Sequence, residues 1–184
     1  MASDTFDPSP FEILLLSPCL LPGKTSFKEG EASVKVEPEA DETILFFNID
    51  DQSNPGCKLR NFLCGKETEQ QICDLIVFYA KERERVICFV ELKENIRHLG
   101  HGTKQVINTY NTFKRHLKKS YTAKAFIFAP AGSSPREHDK YQRELLKEFG
   151  KDNFDIKNRS NDALGDLLRG IPPKTGQGKR KNKK

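Results

Sequence analysis

The clearest pattern of apolar and polar positions lies in the middle of the chain. Residues 74–79, DLIVFY, and 86–92, VICFVEL, are rich in β-branched and aromatic side chains, and the charged stretch Lys81-Glu82-Arg83-Glu84 separates them. Two such runs around a short polar break predict a β-hairpin. A turn centred between Glu82 and Arg83 sets the register and places Asp74 directly across from Glu91. Cross-strand partners share a face and strand side chains alternate, so Asp74, Glu91 and Lys93 project from one side and Leu92 from the other.

The flanking segments predict the rest of the fold. Residues 11–21, FEILLLSPCLL, read as a short buried helix or strand, residues 32–37 as an alternating strand and residues 44–49, ILFFNI, as a buried one. Asp50 to Gly56 is a loop, and 58–71 fits no single pattern. Beyond the hairpin, Val106, Tyr110, Phe113 and Leu117 recur at steps of four, three and four, which is one apolar stripe of a helix. Gly100 and Gly102 loosen the residues before it, so the helix is expected to start near Thr103, with Gln105 in its first turn.

Residues 123–129, AKAFIFA, read as a buried strand, joined to the hairpin by a right-handed parallel crossover. Ser134-Pro135-Arg136-Glu137 has the form of a capping box for a helix that runs to Phe149 and stops at Gly150. A strand at 154–156 and a short helix at 163–169 complete the list. The order hairpin, helix, strand, helix implies an α/β (α+β) fold with a mixed central β-sheet flanked by helices. Three parts are expected: an N-terminal extension over 1–25, one domain over 26–170 and a disordered basic tail over 171–184.

Charge divides the 184 residues unevenly. The net charge is +5, yet residues 1–55 carry eleven acidic against three basic side chains, so all of the positive excess lies further on. A basic body fits a polyanionic partner, because binding nucleic acid releases condensed counterions. Lys104, Lys114 and Arg115 on the helix and Lys179, Arg180 and Lys181 in the tail are the expected phosphate contacts. No apolar run is long enough to span a bilayer, so no membrane partner is expected. The run 11–21 follows Asp4 and Asp7 with no Lys or Arg before it and does not read as a secretory signal. Five cysteines at irregular spacings (19, 57, 64, 73 and 88), with no C-x2-C pair, argue against a disulfide framework and against structural zinc. The expected location is cytoplasmic, or nuclear in a eukaryote.

The chemistry is carried by the ends of the hairpin. Two facing carboxylates repel each other, and placing them at the end of an apolar hairpin is costly unless a cation lies between them. Mg²⁺ suits such a place: Asp74, Glu91 and the backbone carbonyl of Leu92 supply oxygen ligands and leave room for a phosphate oxygen. Lys93 is then positioned to hold or deprotonate an attacking water. An E-x-K alone would read as a solvated ion pair of little energetic weight. Asp74, set opposite among apolar neighbours, tips the reading toward a site.

Asp74 with Glu91-Leu92-Lys93 resembles the D…(D/E)-x-K signature of the PD-(D/E)xK nuclease superfamily, with Cys73 where the proline of that motif stands. The resemblance covers about residues 44–130 and implies a restriction-endonuclease-like core. It also implies a Mg²⁺-dependent endonuclease, with Mn²⁺ as an alternative cofactor: Asp74 and Glu91 bind the metal and Lys93 assists the water. Gln105 and Tyr110 are similar to the Gln and aromatic residue on the helix after this motif in many relatives, with one extra residue between them here. An early acidic residue often completes such sites, and Glu12, Glu29 and Glu31 are all eligible. His98 and His101 have H-x-x-H spacing, and a His there could also contact a phosphate. DNA is the preferred substrate over RNA, and relatives often work as homodimers. The alternative is a non-catalytic nucleic-acid-binding or assembly subunit with the same fold.

Overall fold

A computed structural model describes residues 9–16, 18–51, 71–129, 135–157 and 163–172. Its centre is a five-stranded mixed sheet in the order β3-β4-β5-β6-β7, made of Thr43–Asn48 (β3), Leu75–Lys81 (β4), Glu84–Leu92 (β5), Thr122–Phe128 (β6) and Phe154–Lys157 (β7). The strands β3, β4 and β5 pair antiparallel, whereas β6 and β7 are added in parallel. A separate two-stranded antiparallel sheet joins Ser26–Glu29 (β1) and Ala32–Lys35 (β2). Helices span Pro10–Leu16 (α1), Leu99–Lys114 (α2), Pro135–Phe149 (α3) and Ala163–Leu168 (α4), with a 3-10 turn at Ile96–His98 before α2. The expected mixed sheet flanked by helices is therefore what the chain forms.

Hydrophobic burial on both faces holds the sheet. On one face Ile76, Ile87, Phe89 and Ile127 pack against α1, α2 and α3 through Leu14, Val106, Phe113 and Leu145. On the other, Val77, Cys88, Val90 and Phe126 pack against the β1–β2 hairpin and α4 through Ala32, Val34, Leu164 and Leu168. Burying one such side chain contributes about 2 kcal/mol or more. This double burial explains why β5 reads as an almost continuous apolar run. The hairpin register is as expected: Leu75 faces Val90 and Lys81 faces Glu84 across a two-residue turn, with Glu82 at positive φ.

Three expectations change in detail. Residues 11–21 join the core as expected, with a helix over Pro10–Leu16, Leu14 and Cys19 in the main core and Leu20 bridging to Phe47 on the edge strand β3, so this part of the expected N-terminal extension over 1–25 is built into the domain. Residues 26–29, for which no strand is expected from the sequence, form β1, which pairs with β2 through a turn at Gly30 (φ 56). The helix expected from Thr103 begins four residues earlier, at Leu99, because Gly100 and Gly102 serve close packing rather than flexibility. Most of the stretch between β3 and β4 (52–70), Ser134 of the expected capping box and the basic tail beyond residue 172 lie outside the described residues. Gly150, at φ 83, ends α3 as expected. Leu117 packs on the core from beyond the end of α2.

An ionic cluster ties the far end of the chain to the loop before β3. Arg169, just past α4, donates from Nε to Glu42 Oε1 and from Nη2 to Glu42 Oε2, both at 2.9 Å, and Tyr79 donates its hydroxyl to Glu42 Oε1 at 3.0 Å. The Arg169 guanidinium holds the Glu42 carboxyl down at about 2 against an ordinary 4.5, although burial opposes it. A depressed carboxylate stabilises the fold above its unfolded pKa and ceases to do so as pH falls through the folded value. Glu42→Gln is therefore expected to lower stability by roughly 2–4 kcal/mol near pH 7. In thermal melts the gap from wild type should close between pH 4.5 and pH 2, and a gap that stays constant over that range would contradict this role.

Candidate active site

Asp74 and Glu91 are held by bonds that cross the end of the hairpin. The Leu92 N–H donates to Asp74 Oδ2 at 2.6 Å, and the Asp74 N–H donates to Glu91 Oε2 at 3.2 Å. Each carboxylate thus accepts a backbone donor from the opposite strand, which continues the Leu75–Val90 register by one more pair. Both are buried, Asp74 at 3% exposure and Glu91 at 0%. Lys93 follows the end of β5, where its N–H donates to the Phe128 carbonyl of β6 at 2.8 Å and its ammonium forms an ion pair with Glu91 Oε1. The three residues expected to share a face therefore form one cluster.

Its electrostatics are unfavourable without a counter-charge. Burial pushes the Asp74 carboxyl up to about 7, and the neighbouring Glu29 pushes in the same direction against the Leu92 N–H and Lys93. Burial pushes Glu91 up to about 8, helped by Asp74 and opposed by Lys93. Glu29, at the end of β1, lies near enough for its charge to push the Asp74 and Glu91 carboxyls up, so of the three early acidic candidates it is the one brought to the pair. The turn that carries it is fixed from outside the hairpin, since the Glu31 N–H donates to Glu94 Oε1 at 3.2 Å. Gly30 sits in that turn at φ 56, a backbone conformation that favours glycine, and a Cβ there would displace the Glu94 carboxylate. Glu12 instead closes a reciprocal cap with Ser9 at the start of α1.

Helix α2 supports the cluster from above. Gln105 Nε2 donates to the Ile72 carbonyl at 2.8 Å, and Thr109 Oγ1 accepts the Cys73 N–H at 2.9 Å. Both bonds anchor the two residues before Asp74, so Gln105 acts on the site through the backbone, while its Oε1 is buried with no hydrogen-bond partner. Sequence reasoning misses Thr109, because a threonine in a helix carries no periodic signal. Gly102 lies where a Cβ would be 3.1 Å from Glu91 Cγ and 3.4 Å from Lys93 Cε. His101, exposed on the first turn, has its pKa drawn below the ordinary value by partial desolvation and by the charge of Lys93. Tyr110 is a core residue, stacked on Phe149 with ring centroids 4.5 Å apart.

The expected phosphate contacts are spread out. Lys104 is exposed half a turn on from Gly102, on the side of α2 away from the carboxylates. Lys114 and Arg115 lie about 15 Å further along the helix axis. Lys114 pairs with Glu148 at 3.6 Å and lies over the Tyr110 ring, and Arg115 donates to His116. Lys179, Arg180 and Lys181 lie outside the described residues.

No group of three or more His, Cys, Asp or Glu side chains among the described residues forms a ready-made metal cage. The donor set at the hairpin end is nevertheless all oxygen, and its two carboxyls, raised by burial, would ionise fully only beside a cation, which suits a hard divalent one that keeps part of its water shell. Glu91 Oε1 is buried against the Lys93 ammonium, so a cation bound to this oxygen would share it with Lys93. Among the described residues no helix is long and apolar enough to cross a membrane. The chain matches no family model, no curated protein and no solved structure.

Two measurements probe this geometry. A carboxylate whose pKa is raised on folding holds its proton longer in the folded chain, so stability falls as pH rises from the unfolded value, near 4.5, through the folded one, near 8. Glu91→Gln removes part of that loss, and without divalent metal its Tm relative to wild type should become more favourable from pH 5 to pH 9; a difference independent of pH would refute the buried like-charge pair. Gly102→Ala should not deliver the roughly 1 kcal/mol that alanine usually adds in a helix interior, since the new methyl presses on Glu91. Denaturant unfolding decides this, and a full gain would show that the contact yields freely.

Proposed function

We propose that the chain is a metal-dependent nuclease that hydrolyses phosphodiester bonds, most naturally a DNA endonuclease of the PD-(D/E)xK kind. The observation that carries this reading is the pair of buried carboxylates, Asp74 and Glu91, crossed over the end of an apolar hairpin with Lys93 beside them. Such a cluster costs stability, and strongly shifted carboxyls of this type concentrate where chemistry uses them. The mixed sheet, with an antiparallel hairpin leading through a helix into a parallel strand, supports the same resemblance.

Asp74 and Glu91, with the Leu92 carbonyl and with Glu29 at their edge, would hold Mg²⁺ or Mn²⁺, which supplies Lewis-acid polarisation of the scissile phosphate. The chain's own residues supply the rest. Lys93, tethered through its N–H to β6, orients the attacking water and offsets the charge that builds on the phosphate. Gln105 and Thr109 are positioning residues that fix the backbone before Asp74. Lys104 and the basic tail contribute sequence-independent contacts to the backbone phosphates. One observation favours the alternative, a non-catalytic nucleic-acid-binding or assembly subunit: the Glu91–Lys93 ion pair neutralises one carboxylate with no metal at all.

The test is cleavage of supercoiled plasmid, linear duplex, single-stranded DNA and RNA in Mg²⁺, Mn²⁺ or EDTA. Wild type should cut DNA only with metal, and Asp74→Ala, Glu91→Ala and Lys93→Ala should each be slower by about 100-fold or more. Undiminished cutting by Glu91→Ala would overturn the nuclease reading, and binding by wild type without cutting in either metal would leave the assembly reading in its place.

A further inference from the structure

Helix α3 carries a feature that the hairpin site does not use. Arg136, Lys140, Arg143 and Lys147 recur at steps of four, three and four, and all four are exposed. At about 100° per residue they lie within roughly 60° of arc. Leu145, at 0% exposure, and Phe149, at 7%, lie on the opposite side of the helix and pack into the core. The crest of α3 is thus a straight line of cations about 16 Å long, pointing away from the body.

The helix as a whole is neutral, with four acidic residues to its four basic ones, and the two sets occupy adjoining arcs, Asp139 four residues before Arg143 and Glu144 four after Lys140. Glu137, Glu144 and Glu148 fall on one flank, where Glu148 turns to Lys114 of α2, and Asp139 falls on the other. None of the four crest cations forms an ion pair among the described residues, and Lys140 instead lies over the Tyr141 ring, 5.1 Å from its centroid. Like charges four apart, as at Arg136 with Lys140 and Arg143 with Lys147, destabilise a helix by a few tenths of a kcal/mol.

The position of the stripe relates it to the site. Both β5 and β6 end at the same level, Leu92 beside Phe128, and α2 and α3 each start from that end of the sheet. Gly102 of α2 touches Glu91 and Lys93, and Gly100, half a turn earlier, is packed against the Tyr141 hydroxyl of α3. The Arg136 and Lys140 end of the stripe is therefore one helix away from the carboxylate pair. On the side of the β1–β2 turn, by contrast, Glu29, Glu31 and Glu94 gather and would repel a polyanion.

We propose that the crest of α3 is a docking surface for the phosphodiester backbone of duplex DNA, leading one strand away from the Asp74, Glu91 and Lys93 cluster. A rigid, regular line of charge is complementary to a rigid, regular polyanion. Because the strand winds round the duplex axis, a straight stripe of this length meets only a few successive phosphates of one strand. The assignment to substrate rests on the nuclease reading, whereas the binding itself does not.

The test is binding of the full chain to a labelled duplex of about 20 base pairs in EDTA, titrated over a range of salt, for wild type and for the double variant Lys140→Gln with Arg143→Gln. Both substitutions are on the solvent crest, and an unchanged Tm confirms the fold. The variant should bind more weakly, and its plot of log affinity against log salt should be shallower by about 2, near one for each phosphate no longer neutralised. An unchanged slope and affinity would overturn the proposal, as would a variant effect confined to single-stranded DNA or RNA. Cutting in Mg²⁺ is measured separately, so a reduced slope without any cutting by wild type retains the docking surface and removes only its link to catalysis.

Discussion

The crossed hydrogen bonds at the end of the central hairpin are the constraint on which the rest of the structure turns. Asp74 can accept the Leu92 N–H, and Glu91 the Asp74 N–H, only if β4 and β5 pair in the register that their two-residue turn imposes. A slip of one residue would put Asp74 and Glu91 on opposite faces of the sheet, one of them among Val77, Val90 and Leu164. Two buried like charges oppose folding, so this register must be held by apolar burial elsewhere. Phe89, Ile87 and Ile76 provide it along the same two strands.

The elements around the site meet this cost in different ways. From α2, Gln105 and Thr109 hold the backbone of Ile72 and Cys73, so Asp74 enters the cluster from a fixed direction. The same helix approaches Glu91 closely because residue 102 has no side chain. From the other face, the β1–β2 turn brings Glu29 against Asp74 and is pinned by Glu94. These contacts hold a buried, electrostatically strained cluster at a cost to stability.

Charge is also arranged on the scale of the whole body. The acidic first part of the chain is folded into the β1–β2 hairpin and the loop before β3, where Glu42 is held by Arg169 and Tyr79. The basic residues of α3 are left facing solvent on the far side of α2. A polyanion would meet an attractive side and a repulsive side of the same site, which gives it a direction of approach.

By itself the sequence determined the hairpin, its register, the helix stripe of Val106, Tyr110 and Phe113, the parallel strand over 123–129 and the gathering of Asp74, Glu91 and Lys93. All of these follow from local periodicity and from a turn whose length sets the pairing, so no distant contact is needed to read them. What only the tertiary structure decided involves partners far apart in the chain. Glu29 could not be chosen over Glu12 and Glu31, because the choice depends on where the hairpin turn meets Glu94. The start of α2 lies earlier than its periodicity implies because glycine alone looks like looseness, and its use at residues 100 and 102 becomes visible only when Tyr141 and Glu91 are seen against it. Thr109 and Gln105 act through single hydrogen bonds to residues more than thirty positions away. Periodicity specifies which face of an element is buried, but the atom that comes to rest against it is set by packing between elements.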